Sequence, residues 1–107
     1  MNVLKKDSDK LLKLVNLPLA DYHARIAIYN LSENLLNFYS SNASSINAKK
    51  VVVVRNSDDF SYAAHVRNTC DKVLFLFGEN YHVDSYLSDV CFRVELPKAL
   101  IKRVSSI

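Results

Sequence analysis

A single glycine, Gly78, stands in a chain of 107 residues, where average usage would place about seven. That scarcity excludes the backbone devices by which many α/β proteins hold nucleotides. A dinucleotide fingerprint needs G-x-G-x-x-G so that the main chain can approach a pyrophosphate, and a phosphate loop needs two glycines before its lysine. Tryptophan is absent, and proline occurs twice, at Pro18 and Pro97. The two cysteines, Cys70 and Cys91, lie 21 residues apart. Without C-x-x-C spacing they make no metal site, and each falls beside or within an expected strand, as a buried thiol would. The opening MNVLKKDSDKLLKLVNLP is too polar for the apolar core of a secretory signal. No apolar run approaches the roughly 20 residues of a membrane helix. A cytoplasmic location without disulfides or membrane contact is therefore expected.

Charge is equally unspecific. The formal net charge is +3, and the paired basic residues are dispersed as Lys5-Lys6, Lys49-Lys50 and Lys102-Arg103. A nucleic-acid face would show lysine and arginine in a stripe interleaved with aromatics, so direct nucleic-acid binding is not expected. Half of the residues are hydrophobic, the balance of one globular domain spanning residues 1–107.

What is present is a clear alternation of elements. Two all-apolar runs, in KKVVVVRN and DKVLFLFGEN, flank the amphipathic SDDFSYAAHVRNTC, and this reads as strand, helix, strand. Asp7 or Ser8 caps a first helix that runs to about residue 15, and Pro18 stops it. Residues 25–29 (RIAIY) are rich in β-branched and aromatic side chains and form a strand. Ser32 caps a helix that frays in the run SSNASSIN near residue 45. Residues 50–54 and 72–77 are strands apolar on both faces, as in a sheet covered on each side. Ser57, Asp58 and Asp59 open the helix between them, with acids at its positive end. Residues 83–88 make one or two helical turns, 90–96 an edge strand, and Pro97 begins a last helix. Alternating strands and helices imply crossover connections. The expected fold is a three-layer α/β domain with a mostly parallel sheet of about four strands.

In open sheets of this kind ligands bind beyond the carboxyl ends of the strands. The loops at residues 30–34, 55–59 and 78–84 are therefore the candidates. Ser32 and Asn34 are placed to bind a small anion at a helix N-terminus. His82 stands in a strand-end loop beside Tyr81 and Asp84, whereas His23 and His65 lie on other elements without a nucleophile motif. Asn30 occupies the strand end where a phosphotransfer carrier would have Cys or His. Asp58 and Asp59 are explained as helix-opening acids rather than phosphoacceptors.

Three stretches, RIAIYNLSEN, SDDFSYAAHVRNTCDKVLFLF and SYLSDVCFRVELP, carry a resemblance. The last has Ser85, Leu87, Asp89 and Pro97 on matching positions. From residue 19 to about residue 97 the chain resembles the sugar isomerase (SIS) domain of phosphosugar isomerases and of RpiR-type regulators of sugar metabolism. The resemblance implies a flavodoxin-like sheet, a sugar phosphate ligand and dimerisation through helices, for which the leucine-bearing first and last helices would serve. It also implies loss of the usual site. The family's first loop is glycine-rich and ends in a phosphate-binding serine. Here Asn30, Ser32 and Glu33 take the glycine-like positions and Asn34 the serine-like one. In the second, hydroxyl-rich loop stand Phe77, Glu79, Asn80 and Tyr81, and a Glu beside a phosphate repels it. The helix after that loop is largely missing, and no helix-turn-helix domain is evident.

The function expected on this basis is a non-enzymatic, SIS-like domain that senses a phosphosugar or associates, with a degenerate phosphate site. Ser32, Asn34, Glu79, Asn80 and His82 are its candidate ligand-binding residues. No catalytic residue, metal or cofactor is assigned. Two alternatives stand beside it. One is a small enzyme acting on a phosphorylated sugar through Ser32, Asn34, Glu79 and His82. The other is an unrelated α/β interaction module.

Overall fold

The computed structural model describes residues 4–79 and 91–105. Four strands, β1 (Arg25–Leu31), β2 (Lys50–Val54), β3 (Val73–Gly78) and β4 (Phe92–Arg93), form one sheet in the order β2-β3-β1-β4. Every pairing is parallel. Among the described residues four helices flank it: α1 (Lys5–Asn16), α2 (Glu33–Ser41), α3 (Ser57–Thr69) and α4 (Lys98–Ser105).

The strand alternation sorts the core into two layers. Ile26, Ile28, Leu74 and Leu76 pack with Leu11 and Val15 of α1, Leu35, Leu36, Phe38 and Tyr39 of α2, and Leu100 and Val104 of α4. On the opposite face Ala27, Val52, Val54, Val73, Phe75 and Phe77 pack with Ala63 and Val66 of α3. From β1 the chain crosses over β3 to β2, then returns through α3 to β3. These two crossovers travel in opposite directions, so the common right-handed rule sends α2 and α3 to opposite faces. The three-layer α/β architecture follows. In the flavodoxin order the first strand lies between the second and third; here β3 lies between β2 and β1.

Several element ends differ from the sequence expectation, each for a local reason. Helix α1 begins at Lys5, so Asp7 lies inside its first turn and caps nothing. Asp7 is buried, and its carboxylate accepts hydrogen bonds from Arg103 of α4 at 2.9 and 3.3 Å. Helix α2 ends at Ser41, where Asn42 Nδ2 donates to the Phe38 carbonyl at 2.8 Å, and a short 3-10 turn (Ala43–Ser45) follows. Helix α3 does open at Ser57 with Asp58 and Asp59 in its first turn, and its N-cap is Asn56. Asn56 Oδ1 accepts from the Asp59 amide at 2.9 Å, and Asp59 Oδ2 accepts from the Arg55 amide at 3.0 Å. Strand β1 runs two residues further than its β-branched core, to Leu31, through an irregularity after Ile28. Strand β4 is only two residues long, because Val94 and Leu96 turn into the helical layer and are buried there. The turns expected at 83–88 and the residue opening the 90–96 strand lie outside the described residues.

The apolar stripes of α1 and α4 are buried within this chain's own core. Tyr39 is also buried, and its hydroxyl donates to the Leu11 carbonyl at 3.0 Å, tying α2 to α1. Burial raises the Tyr39 hydroxyl's pKa far above its ordinary value.

The Arg103 hydrogen bonds, aided by its charge, hold the Asp7 carboxyl below its usual range against the opposing effect of burial. A depressed carboxylate contributes stability that is complete above its unfolded pKa of about 4 and is lost as pH falls through the lower folded value. Asp7→Asn is therefore expected to lower Tm near neutral pH, with the deficit shrinking toward zero in strong acid. A deficit constant across that range, measured by circular dichroism melting, would show that the pairing is not its cause.

Candidate ligand site at the carboxyl edge of the sheet

The direction of the crossovers locates the site. The chain leaves β1 toward β2 on one side and leaves β3 toward β4 on the other, so the strand order reverses between β1 and β3. Their carboxyl ends form the crevice where such sheets bind ligands. Leu31 pairs with Gly78 there, so Ser32 and Glu79, the next residues along each strand, sit on neighbouring strand ends. Glu79 is exposed and Asn34 is half-buried. Asn80 and His82 lie outside the described residues.

Asn30 adopts the left-handed region with φ 61°. A short polar side chain tolerates that conformation better than most, and its residue type was the available signal for the irregular end of β1. Ser32 is the N-cap of α2, its Oγ accepting from the Leu35 amide at 3.3 Å. Beside it, at the positive end of α2, Glu33 supplies a carboxylate of the chain's own. Arg55, just beyond β2, spans the end of β3 to reach it, with Nη2 to Oε1 at 2.7 Å and Nε to Oε2 at 3.4 Å. These bonds raise the Arg55 pKa further, so the guanidinium stays charged. The pair is exposed, at 43% and 64% of the two side chains, and such pairs contribute at most about 1 kcal/mol. It is therefore an exchangeable contact. The anion position suggested by Ser32 and Asn34 thus has an Arg55-paired carboxylate beside it, a pairing that sequence spacing did not reveal because Glu33 and Arg55 lie 22 residues apart.

A cleft of about 180 Å³ opens at the same edge, between the end of β1 and the β4–α4 segment; Asn30, Arg93, Glu95, Lys98 and Ile101 are among its lining residues. Arg93 Nε donates to Glu95 Oε1 at 2.9 Å. The Arg93 guanidinium also lies 4.8 Å from the centre of the Tyr29 ring, which stacks on Phe77 at 4.7 Å. The Tyr29 hydroxyl is buried with no hydrogen-bond partner among the described residues. Burial, with a smaller effect of Cys91 against that of Arg93, pushes its pKa up to about 12.

A wider hollow of about 560 Å³ lies at the opposite, amino edge, lined by Leu17, Asp21, His23, Arg25 and Phe92 among others. There His23 Nδ1 and Asp71 Oδ2 are 3.0 Å apart, and Arg25 Nη2 reaches Asp71 Oδ1 at 3.0 Å. The His23 hydrogen bond, then Arg25, keeps the Asp71 carboxyl below its usual range. We place the candidate site at the carboxyl edge because the crossover helices direct their N-termini there. His65 is exposed. Cys70 and Cys91 are free thiols, the latter buried and with a raised pKa. Among the described residues no three His, Cys, Asp or Glu side chains group as metal ligands, and no helix is long and apolar enough to cross a membrane.

Against this geometry, comparison of the chain with protein-family models, with curated proteins and with solved structures gives no match.

Gly78 is the last residue of β3 and has no positive φ, so its backbone does not require the conformational freedom of glycine. A Cβ there would meet Leu36 Cδ1 and the Val54 carbonyl oxygen at 3.7 Å, ordinary contact distances. Gly78→Ala is expected to stabilise the fold by about 0.4–1 kcal/mol through the unfolded chain's entropy. Urea denaturation checks this, and a loss of stability would mean that the strand end tolerates no side chain.

Proposed function

We propose that this chain is a non-enzymatic recognition domain that senses a small phosphorylated sugar at the carboxyl edge of its sheet. The observation that carries the reading is the cleft whose lining includes Asn30, Arg93 and Lys98. It offers an amide and two cations beside the strand order's reversal, and cations with amide donors are what a phosphate and sugar hydroxyls require. Among the described residues the one carboxylate lining it, Glu95, is paired with Arg93, and recognition rather than turnover fits the set.

The ligand class is supported by the resemblance to the sugar isomerase domain, and a role in a sugar-metabolism regulator and a cytoplasmic location rest on that resemblance and on composition. The strand order weighs against a close structural copy of a flavodoxin-like sheet. The α2 N-terminus, where Ser32 and Asn34 suggested phosphate binding, is the degenerate part of the site, since Glu33 repels an incoming anion there. In this reading the anion is held on the other side of Asn30, by Lys98 and Arg93.

Isothermal titration of the chain with hexose phosphates, pentose phosphates and inorganic phosphate tests this. Dissociation constants near about 1 mM are expected for at least one sugar phosphate, a free energy of about −4 kcal/mol. Lys98→Ala is expected to weaken binding about tenfold, and Asn30→Gly to weaken it while preserving the left-handed backbone. Absence of binding by any of these compounds at about ten times that concentration, or equal binding by Lys98→Ala, overturns the reading.

A further inference from the structure

Among the described residues strand β2 is an edge of the sheet, bonded only to β3. The backbone directions along it follow from the ladder. The Val73 amide donates to Ala24 on the β1 side at 3.2 Å, so alternation turns the backbone groups of Leu74 and Leu76 toward β2. With Val51 opposite Leu74 and Val53 opposite Leu76, those bonds go to the flanking residues Lys50, Val52 and Val54. The amides and carbonyls of Val51 and Val53 therefore point away from the sheet. The next outward amide, that of Arg55, is already taken by Asp59 Oδ2. Among the described residues none donates to or accepts from the outward groups of Val51 and Val53.

Natural edges usually carry a proline, a bulge, or a charge within the strand to prevent further pairing. Strand β2 has none of these between Val51 and Val54, and its register with β3 is regular along its whole length. Its side chains add to the case, since Val51 and Val53 are only half-buried on the face shared with α2. The other edge, β4, is two residues long and presents much less.

We infer that β2 pairs antiparallel with β2 of a second copy of this chain, about a two-fold axis at Val52, to give one continuous sheet. In this register both outward-facing residues of β2, Val51 and Val53, find partners in each other. Val51 meets Val53 of the second copy and exchanges both backbone bonds with it, and Val53 meets Val51 likewise. Val52 meets its own counterpart as a non-hydrogen-bonded pair, with Cα atoms about 4.5 Å apart. Lys50 falls beside Val54, which leaves the two Lys50 residues about 14 Å apart along the strands, beyond the Debye length of about 10 Å at 0.1 M salt. Parallel pairing would stack Lys49 and Lys50 on their own copies. At the rim Lys49 meets Arg55, but Arg55 carries its own counter-ion in Glu33, and the Lys49 ammonium is directed over the Tyr22 ring at 5.8 Å. This association uses neither the α1 nor the α4 stripe and does not depend on sugar phosphate binding.

Light scattering after size exclusion on the full chain should give twice the 12.2 kDa protomer mass, with dissociation on dilution. Hydrogen exchange by NMR should show protection of the Val51 and Val53 amides that rises with protein concentration, while the Val52 and Val54 amides stay protected throughout. Val53→Lys acts twice in the symmetric pair and should raise the dissociation constant about tenfold or more. Val52→Cys should form a disulfide-linked dimer under mild oxidation that the wild-type chain, with only Cys70 and Cys91, does not. A monomer at all concentrations overturns the inference. So does a dimer in which the Val51 and Val53 amides are indifferent to concentration and Val52→Cys fails to cross-link, since that dimer uses another surface.

Discussion

Everything in this fold depends on covering β3 from both sides. Val73, Leu74, Phe75, Leu76 and Phe77 are all fully buried, and a strand so apolar is unstable with either face in water. Burying one such side chain contributes about 1.5–3 kcal/mol, so the run supplies much of the drive to fold. Cover on both faces requires helices on both faces. With parallel strands, that requires crossovers that reverse direction. The reversal in turn creates the crevice between β1 and β3. The candidate site is thus a geometric by-product of burying one hydrophobic segment.

At that crevice the chain solves with side chains what glycine-rich proteins solve with backbone. Asn30 takes the left-handed conformation that a glycine would otherwise supply. Glu33 brings a carboxylate to the first turn of that helix, and Arg55 answers it from the end of the next strand in sequence. The positive field of the helix is thereby neutralised internally. The cleft on the far side of Asn30 is bordered instead by Arg93 of β4 and Lys98 of α4, from elements that sequence reading treated only as an edge strand and a terminal helix.

The local layers of the structure were legible in the sequence, and the non-local pairings were not. Uninterrupted apolar runs announced β2 and β3, and Ser32 was readable as a cap because a hydroxyl before a periodic apolar segment has one common use. Strand order is a tertiary choice, and nothing in RIAIY or KVVVV says which neighbour each strand takes. Asp7 looked like a helix cap because the residue type suits a cap. Its actual partner, Arg103, is 96 positions away, beyond any spacing argument. The same holds for Glu33 with Arg55 and for His23 with Asp71. The edge strand expected at 90–96 shrank because Val94 and Leu96 are drawn into the helical layer, a packing demand that alternation cannot express.

The Asp7–Arg103 contact also sets a timetable. A ribosome delivers α1 well before α4, and the buried carboxylate of Asp7 lacks its Arg103 hydrogen bonds until that residue has emerged. At about 5–20 residues per second, the 96-residue interval takes roughly 5–20 s. During that time Leu11, Val15 and the inner faces of β1 and β3 lack the cover of Leu100 and Val104. The nascent chain therefore carries an open apolar seam over that interval, and the seam closes only when α4 docks.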